Sequence, residues 1–122
     1  MLLVKTYVGE SPIHGRGLFA AEDIAPGTVI WKAGYELLYS SAAFAALTDY
    51  QKNFISIWGW RDKLDGFYHL SLDDDRFINH SSAPNTRVEL DGLTIACRSI
   101  RRGEEILCDY REFEAEFRFD RL

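Results

Sequence analysis

The stretch "RFINHSSAPN", residues 76–85, places an apolar pair directly before Asn79-His80 and then continues into a turn of Ser, Pro and Asn. Most loops do not have this composition, because loops are usually built from polar and turn-forming residues throughout. Taken alone, His80 is expected to be a structural histidine. No second histidine stands at metal-ligand spacing, and no serine or cysteine is placed beside it in a recognisable nucleophile context. The stretch therefore has to be interpreted together with the rest of the chain.

The composition is that of one soluble globular domain. With 122 residues the chain has room for a single hydrophobic core, and 47% apolar and 14% aromatic residues are too many for a disordered protein. No apolar run is long enough to cross a bilayer. The opening "MLLVKTYVGE" turns to charge and glycine at once, which is not the pattern of an export signal. A cytoplasmic location without membrane attachment is therefore expected.

The charge disfavours one class of partner. The formal net charge is −5, and acidic residues concentrate in "LDDDR" and in the tail "REFEAEFRFD". Such a balance disfavours a phosphate backbone, so no direct nucleic-acid binding is expected and a cationic partner is favoured. For the tail, the alternative is that its charge only keeps a small protein soluble.

The cysteines and the acidic cluster do not indicate a metal site. Cys97 and Cys108 have no partner pair that would make a zinc or disulfide framework, so both are expected to be buried thiols. The run Asp73-Asp74-Asp75 lacks the alternating ligand spacing of a calcium loop and is expected to be the solvated end of a strand.

The periodicity predicts a mostly β domain made of short strands. Asp65-Gly66 and Asp91-Gly92 each stand between extended flanks, which is typical of β-hairpins. Alternation predicts two further strands, one with Leu93, Ile95 and Cys97 on a common face and one with Ile106, Cys108 and Tyr110.

One segment departs from this pattern. In residues 40–60, "SSAAFAALTDYQKNFISIWGW", apolar residues recur at helical spacing and predict two short helices. Ser41 is expected to cap the first helix, and Thr48 or Asp49 the second, by accepting from free N–H groups of the opening turn. Gly59 is expected to end the second helix.

The remaining motifs are weak one at a time. Gly15-x-Gly17 alone is more often a tight turn than a ligand cradle, and Tyr110 alone is more often a core tyrosine whose hydroxyl is satisfied. The order of the motifs along the chain, and the number of residues between them, are more informative than any one motif. A Gly-x-Gly stands near the start, Asn-His-Ser follows about two thirds along, and Gly-Glu-Glu with Asp-Tyr comes some twenty residues later.

With these three motifs the chain resembles the SET-domain family of protein-lysine methyltransferases, and it is most similar to the compact, stand-alone bacterial and viral types. The resemblance is carried by "GRGLFA" with "IAPGTVI", by "RFINHSSAPNT" and by "IRRGEEILCDY". It implies a single SET domain over residues 1–122, with core motifs in 7–110, a variable insert at about 31–75 and a tail at 111–122. The implied fold is the mostly β SET (β-clip) fold of small sheets, in which the C-terminal segment passes under the Asn-His loop in a knot-like arrangement.

The resemblance also implies roles for individual residues. S-adenosylmethionine would be the cofactor and Tyr110 the catalytic residue. The residues implied around the cofactor are His14, Gly15, Arg16, Gly17, Asn79 and His80. The candidate walls of the substrate channel are Trp58, Trp60, Phe67, Tyr68, Cys108 and Tyr110.

Two departures from the family pattern carry expectations of their own. Many members hold zinc through a Cys after Asn-His-Ser and cysteines beyond the tyrosine, whereas here Ser82 takes that position and the tail has no Cys. No metal is therefore expected, and Phe113 or Phe117 would close the channel by lying against the adenine of the cofactor, with ordinary packing of those rings as the alternative. Cys108 stands where the family commonly has Phe or Tyr, so its small side chain predicts that more than one methyl group is added.

Methyl transfer needs an uncharged amine, and dry aromatic walls favour that form of a lysine whose ordinary pKa is about 10.4. Tyr110 is a poor base at neutral pH, so water is the alternative proton acceptor. The predicted function is a protein-lysine N-methyltransferase acting on a basic protein, histone-like or ribosomal, with homodimerisation possible. The alternatives are a catalytically silent SET-like module that binds peptide or cofactor, and a β-clip interaction domain unrelated to methylation.

Overall fold

The protein is mostly β, as the sequence predicts. In a computed structural model that describes residues 1–115, the helices are short and the strands have two to five residues. The strands are β1 Thr6–Glu10, β2 Arg16–Ala20, β3 Val29–Trp31, β4 Glu36–Tyr39, β5 Trp60–Arg61, β6 Tyr68–Ser71, β7 Asn79–His80, β8 Thr86–Val88, β9 Thr94–Ala96 and β10 Leu107–Cys108. The α-helices are α1 Ser41–Ala45 and α2 Asp49–Trp58, and 3-10 turns cover Asp74–Phe77 and Tyr110–Glu112.

The strands form four small sheets. β1 pairs with β2, β9 lies between β3 and β8, and β6 lies between β4 and β5, all antiparallel. β7 and β10 form the fourth sheet and run parallel. The core between them is aliphatic, and its buried members are Leu18, Ala20, Ile24, Ile30, Ala96, Ile100 and Ile106.

Both predicted hairpins are present, and glycine makes each turn possible. The loop between β5 and β6 has Gly66 at φ 74°, and the loop between β8 and β9 has Gly92 at φ 85°. In this left-handed region a side chain would clash with the following carbonyl, which glycine avoids. The Asp-Gly pairs are therefore a local signal that works without knowledge of the tertiary fold.

The two predicted helices are also present, with one correction at a cap. Ser40, one residue before the predicted Ser41, caps α1 by accepting from the Ala43 N–H at 3.1 Å. Thr48 caps α2 in a reciprocal arrangement with Gln51, and Gly59 ends it. Neither helix in residues 1–115 has the length and apolar character that a bilayer-spanning helix requires.

The C-terminal segment is held from two sides by residues 79–86, which we call the clasp loop. On one side β10 pairs with β7, and the Ser81 N–H donates to the Cys108 carbonyl at 2.9 Å. On the other side the Asn85 amide bonds the backbone of Glu105 and Leu107, each at 2.8 Å. Asn85 is almost fully buried, so these bonds replace water that the backbone of the segment has lost. This is the arrangement that the SET fold implies for the two segments.

The burial of Cys97 was predicted wrongly. In β9 the buried side chains are Thr94 and Ala96, and Cys97, which follows the strand, is exposed rather than a buried thiol. Both faces of this strand carry uncharged residues, so alternation alone does not decide between them. Ala96 is small enough to lie in the aliphatic core, which turns Cys97 outward.

Replacing Gly59 by Ala is expected to destabilise the fold by about 2 kcal/mol or more, because a Cβ there would lie 2.2 Å from the His69 carbonyl oxygen of β6. Urea unfolding measures the effect. The control is Gly9→Ala, where the nearest atom is a Phe19 ring carbon at 3.3 Å that can move aside. Equal stability of the two variants would contradict this close packing of α2 on β6.

Candidate active site

The side chain of Asn79, in the Asn-His-Ser motif, bonds to the segment that contains the Gly-x-Gly motif. It is 7% exposed, and its Nδ2 lies 2.9 Å from the His14 carbonyl, 3.0 Å from the Arg16 carbonyl and 3.0 Å from Glu105 Oε2. Backbone carbonyls of a bend cannot find strand partners, so a side-chain donor has to satisfy them. Asn79 therefore fixes the shape of the segment that contains the Gly-x-Gly motif.

Glu105, in the Gly-Glu-Glu motif, contacts the same segment. Its carboxylate accepts from the Ser11 hydroxyl at 2.8 Å, and it lies so close to Gly17 that a Cβ there would be 2.3 Å from Glu105 Oε2. Glycine at this position is thus required by close approach rather than by an unusual φ. Glu105 belongs to the motif "IRRGEEILCDY", but the sequence does not show which neighbours an acidic residue meets, so its role was not predictable.

His80 joins the clasp loop to the start of the tyrosine segment. Its Nδ1 accepts from the Tyr110 backbone N–H at 3.1 Å, and the two rings lie 5.3 Å apart. Burial lowers the pKa of His80, although Asp109 at 3.7 Å acts in the opposite direction. A neutral imidazole is the form that can accept a hydrogen bond at Nδ1, so the lowered pKa and the contact agree.

The hydroxyl of Tyr110 points back to the residue that precedes the clasp loop. It donates to the Ile78 carbonyl at 2.5 Å, immediately before β7. Tyr110 begins the 3-10 turn Tyr110–Glu112, which Asp109 caps by accepting from the Arg111 N–H. Both the backbone and the side chain of this tyrosine are therefore positioned by residues 78–80.

A cavity of about 130 Å³ opens beside Tyr110 and has an aromatic wall. Trp60 lies edge-on to Trp31 at 6.2 Å and to Phe113 at 5.7 Å, and Phe113 lies 5.8 Å from Tyr110. The sequence-predicted residues that line it are Trp58, Trp60, Cys108, Tyr110 and Phe113. Phe113, predicted beside the cofactor motifs, thus stands in this wall, and Phe117 lies outside the described residues.

The other sequence-predicted residues lie elsewhere. His14, Gly15 and Arg16 are exposed at the bend that Asn79 fixes, whereas Gly17 is buried against Glu105. Phe67 is 40% exposed, and Tyr68 stacks on Phe44 at 3.8 Å, so neither lines the cavity. Tyr68 points away because β6 turns its opposite face, His69 and Ser71, inward, and Phe67 precedes that strand.

Comparison with known proteins agrees with this geometry, since residues 15–111 match the SET domain. The chain belongs to the SET-domain family. It is 34% identical over 134 residues to histone-lysine N-methyltransferase trithorax of Drosophila virilis, covering 92% of this chain and 3% of that protein. Human histone-lysine N-methyltransferase 2B is 34% identical over 124 residues, covering 85% and 4%. The chain thus spans only a few per cent of the length of these curated relatives.

A solved structure shares the fold. A candidate histone methyltransferase of Plasmodium falciparum superposes with a TM-score of 0.64 at 22% identity, covering 89% of this chain and 95% of that one. The prediction of a mostly β SET fold is therefore confirmed.

The SET-domain cavity also contains acidic residues that the sequence reasoning did not place there. Asp62, Asp75, Glu112 and Glu114 line it together with the aromatic wall. Their side chains come from three separate segments, so their spacing in the sequence gives no sign that they meet. Within residues 1–115 they do not form a group that could hold a metal ion.

Asp75 corrects the expectation that the acidic run is a solvated strand end. Asp73 caps the 3-10 turn Asp74–Phe77, which carries Asp75 into the cavity wall, where it accepts a hydrogen bond from Ser71. Burial raises the pKa of Asp75 to about 6, against smaller lowering effects of Ser71 and of the nearby Trp31 indole N–H. That buried indole N–H has no partner in hydrogen-bond geometry among the described residues.

Cys108 is buried, as predicted, and lines the same cavity. Burial raises the pKa of its thiol far above the ordinary range, and Glu112, Asp109 and Asp75 raise it further. The thiol is therefore neutral and too weak a nucleophile to take part in covalent chemistry. What Cys108 contributes to the SET-domain site is its small volume.

Asp75→Asn is expected to stabilise the protein at neutral pH by about 3 kcal/mol at most. The folded-state pKa of about 6 lies above the ordinary 3.8, so the folded state holds the proton more tightly than the unfolded state does. The resulting penalty is absent below about pH 4, grows as pH rises, and is complete above about pH 6.

Urea unfolding at several pH values measures this difference, and Asp74→Asn, at an exposed neighbour, is the matched control. A gain for Asp75→Asn that did not shrink as the pH was lowered would contradict the assignment.

Proposed function

We propose that the chain is an S-adenosylmethionine-dependent protein-lysine N-methyltransferase. The observation that carries the proposal is the position of Tyr110. Its hydroxyl is bonded to Ile78, the residue immediately before the clasp loop that fixes the Gly-x-Gly bend, and its ring stands in the wall of an aromatic cavity. Two binding regions, one for a donor and one for an acceptor, would thus meet at one residue. The relatives, named as histone-lysine N-methyltransferases, support the same reaction class.

The residues around the Gly-x-Gly bend fit the proposed cofactor. Gly15 has φ 46° and nothing within 4 Å of the position that a Cβ would take, so the backbone there can be approached closely by a bound molecule. The Glu105 carboxylate behind the bend complements the ammonium of a methionine portion. His14, Arg16, Gly17 and the backbone of Asn79 and His80 would complete this surface. When bound, S-adenosylmethionine supplies a methyl group on a positively charged sulfur.

The cavity would receive the lysine side chain. Trp58, Trp60 and Phe113 offer apolar surface to its methylene stem, and removal from water favours the uncharged amine that transfer requires. The Ile78 carbonyl and the Tyr110 oxygen, 2.5 Å apart, present oxygen acceptors to a polarised methyl group, which they can hold by weak C–H···O contacts. Alignment of the two reactants is the main contribution expected from the protein.

Tyr110 is not proposed as the base. Its hydroxyl donates to a backbone carbonyl, which requires that the phenol keep its proton. A phenol that keeps its proton has no lone pair basic enough to accept a second proton at neutral pH. The proton of the lysine ammonium would therefore leave to water at the open side of the cavity.

The proposed substrate is a basic protein. The net charge of −5 and four carboxylates around the cavity would attract a lysine-rich segment. The names of the relatives favour a histone-like protein, and a basic ribosomal protein has the same chemistry.

Tyr110→Phe is expected to lower the rate of labelled-methyl transfer to histones by about 100-fold or more, because it removes the oxygen that faces the transferred group. Binding of S-adenosylmethionine, measured by calorimetry, is expected to persist. The control is Tyr50→Phe, at a side chain that is 77% exposed on α2.

Two outcomes would contradict the proposal. If the wild type binds the cofactor but transfers no methyl group to basic proteins, the chain is a silent binding module. If it gives no heat with the cofactor, it is an interaction domain.

The wild type is expected to add more than one methyl group, because Cys108 leaves room at the cavity floor. Cys108→Phe fills that room and is expected to stop the reaction at the mono-methyl product. Mass spectrometry of a peptide at exhaustion distinguishes the products, and Cys97→Phe, at the exposed cysteine, is the control. A wild-type reaction that ends at mono-methyl lysine would refute the idea.

A further inference from the structure

The four carboxylates of the cavity differ in what they contact. Glu112 accepts from the Val88 N–H at 2.9 Å, and Asp62 accepts from the Leu64 N–H and from the Trp60 indole. Glu114 is buried and belongs to a bridge between residues 62 and 114. Each of these acids has a place in the backbone or side-chain framework of the wall. Asp75 accepts from the Ser71 hydroxyl, and it differs from the other three in coming from the 3-10 turn that directly precedes Ile78 and the clasp loop.

We propose that Asp75 is the counter-ion that receives the ammonium group of the target lysine in the cavity, an inference that rests on the proposed function. Asp75 and Tyr110 both line the cavity and are linked through Ile78. The Ile78 N–H donates to the Asp75 carbonyl at 3.0 Å, and the Ile78 carbonyl accepts from Tyr110. A single 3-10 turn thus spaces the carboxylate from the reacting position.

The surroundings of Asp75 suit a cation on an apolar stem. Ser71 donates to one carboxylate oxygen, and the Trp31 indole stands beside the carboxyl in the same wall. The Trp31 and Trp60 rings lie edge to face. Together they offer an apolar surface to the methylene chain of a ligand whose charged end reaches Asp75. Burial from water makes an ion pair at this point stronger than one at the surface.

The energetics of Asp75 point the same way. A carboxyl whose pKa is raised by burial costs the folded state stability at neutral pH, and Asn would fit the same space without that cost. Groups with such perturbed pKa values are concentrated at functional sites. The negative charge of Asp75 does not stabilise the fold, which is consistent with a role in binding a cationic ligand.

The charges around Asp75 leave the cavity acidic. The N-terminal ammonium lowers its pKa and Asp73 raises it. The same cavity is also lined by Cys108, Glu112, Asp62 and Glu114.

Two further titratable or charged groups stand in the lining, Tyr110 and Arg76. The Arg76 guanidinium lies 5.9 Å from the Trp58 ring centre and 5.2 Å from that of Phe77. One guanidinium against four carboxylates leaves an excess of acid. Attraction of a cation is therefore expected to weaken as pH falls through about 6, where Asp75 takes up its proton.

An ion pair with Asp75 aids binding rather than the chemical step. The pair stabilises the ammonium form, whereas transfer begins only after one N–H proton has passed to water. The amine nitrogen then forms a bond to the methyl carbon as the carbon–sulfur bond breaks and its electrons remain on sulfur. Removing the carboxylate should thus raise KM for the peptide without lowering kcat.

The first test needs no turnover. Hexylammonium has lysine's ammonium on an apolar stem, and hexanol is its uncharged counterpart. Calorimetric or NMR titration is expected to show that Asp75→Asn weakens hexylammonium binding by about tenfold and leaves hexanol binding unchanged. Asp74→Asn, at the exposed neighbour, is expected to behave as the wild type. Equal hexylammonium affinity in wild type and Asp75→Asn would overturn the inference.

The second test uses turnover with a histone peptide. Asp75→Asn is expected to raise KM, to keep kcat, and to lose the rise of KM that the wild type shows below about pH 6. A loss of kcat at constant KM would overturn the counter-ion role. If wild-type transfer is absent altogether, the proposed function fails, and the hexylammonium titration still decides the role of Asp75.

Discussion

The hydrogen bonds of the clasp loop are the constraint on which the rest of this small protein depends. Asn79 satisfies the bend that contains Gly15, and Asn85 satisfies the backbone of the C-terminal segment. Both side chains are buried, so each lost bond would leave a backbone group without water or partner. Two asparagines thereby bring together three segments that lie far apart in the sequence, and the candidate site is the place where they meet.

The cavity beside Tyr110 combines two properties that favour opposite charge states of an amine. Aromatic rings exclude water, which favours an uncharged amine, while carboxylates in the same wall favour a cation. Burial is the main cause of the raised pKa of Asp75, and the nearby Asp73 adds to it. A ligand with an apolar stem and a charged end satisfies both parts, which is why the geometry favours a lysine side chain over a neutral small molecule.

Features set by local chemistry were accessible from the sequence. Gly66 and Gly92 make their turns by occupying a left-handed φ, and Thr48 caps its helix through a neighbour three residues away. Features set by tertiary partners were not accessible. Strand β6 buries His69 because Glu36 and Asp65 meet its ring at 2.7 Å and 2.9 Å, which moves Tyr68 to the other face. Asp75 and Glu105 became interpretable only when their neighbours were known.

The parallel pairing of β7 with β10 joins residues 28 positions apart in register, Asn79 with Leu107, through only two residues on each strand. So short a ladder contributes little by itself, and it closes a long loop whose entropy cost must be met by the surrounding core. During synthesis, residues 105–110 also leave the ribosome after every segment they contact in residues 11–88. The candidate catalytic machinery is therefore expected to be absent from nascent and partly folded chains and to appear only with the complete fold.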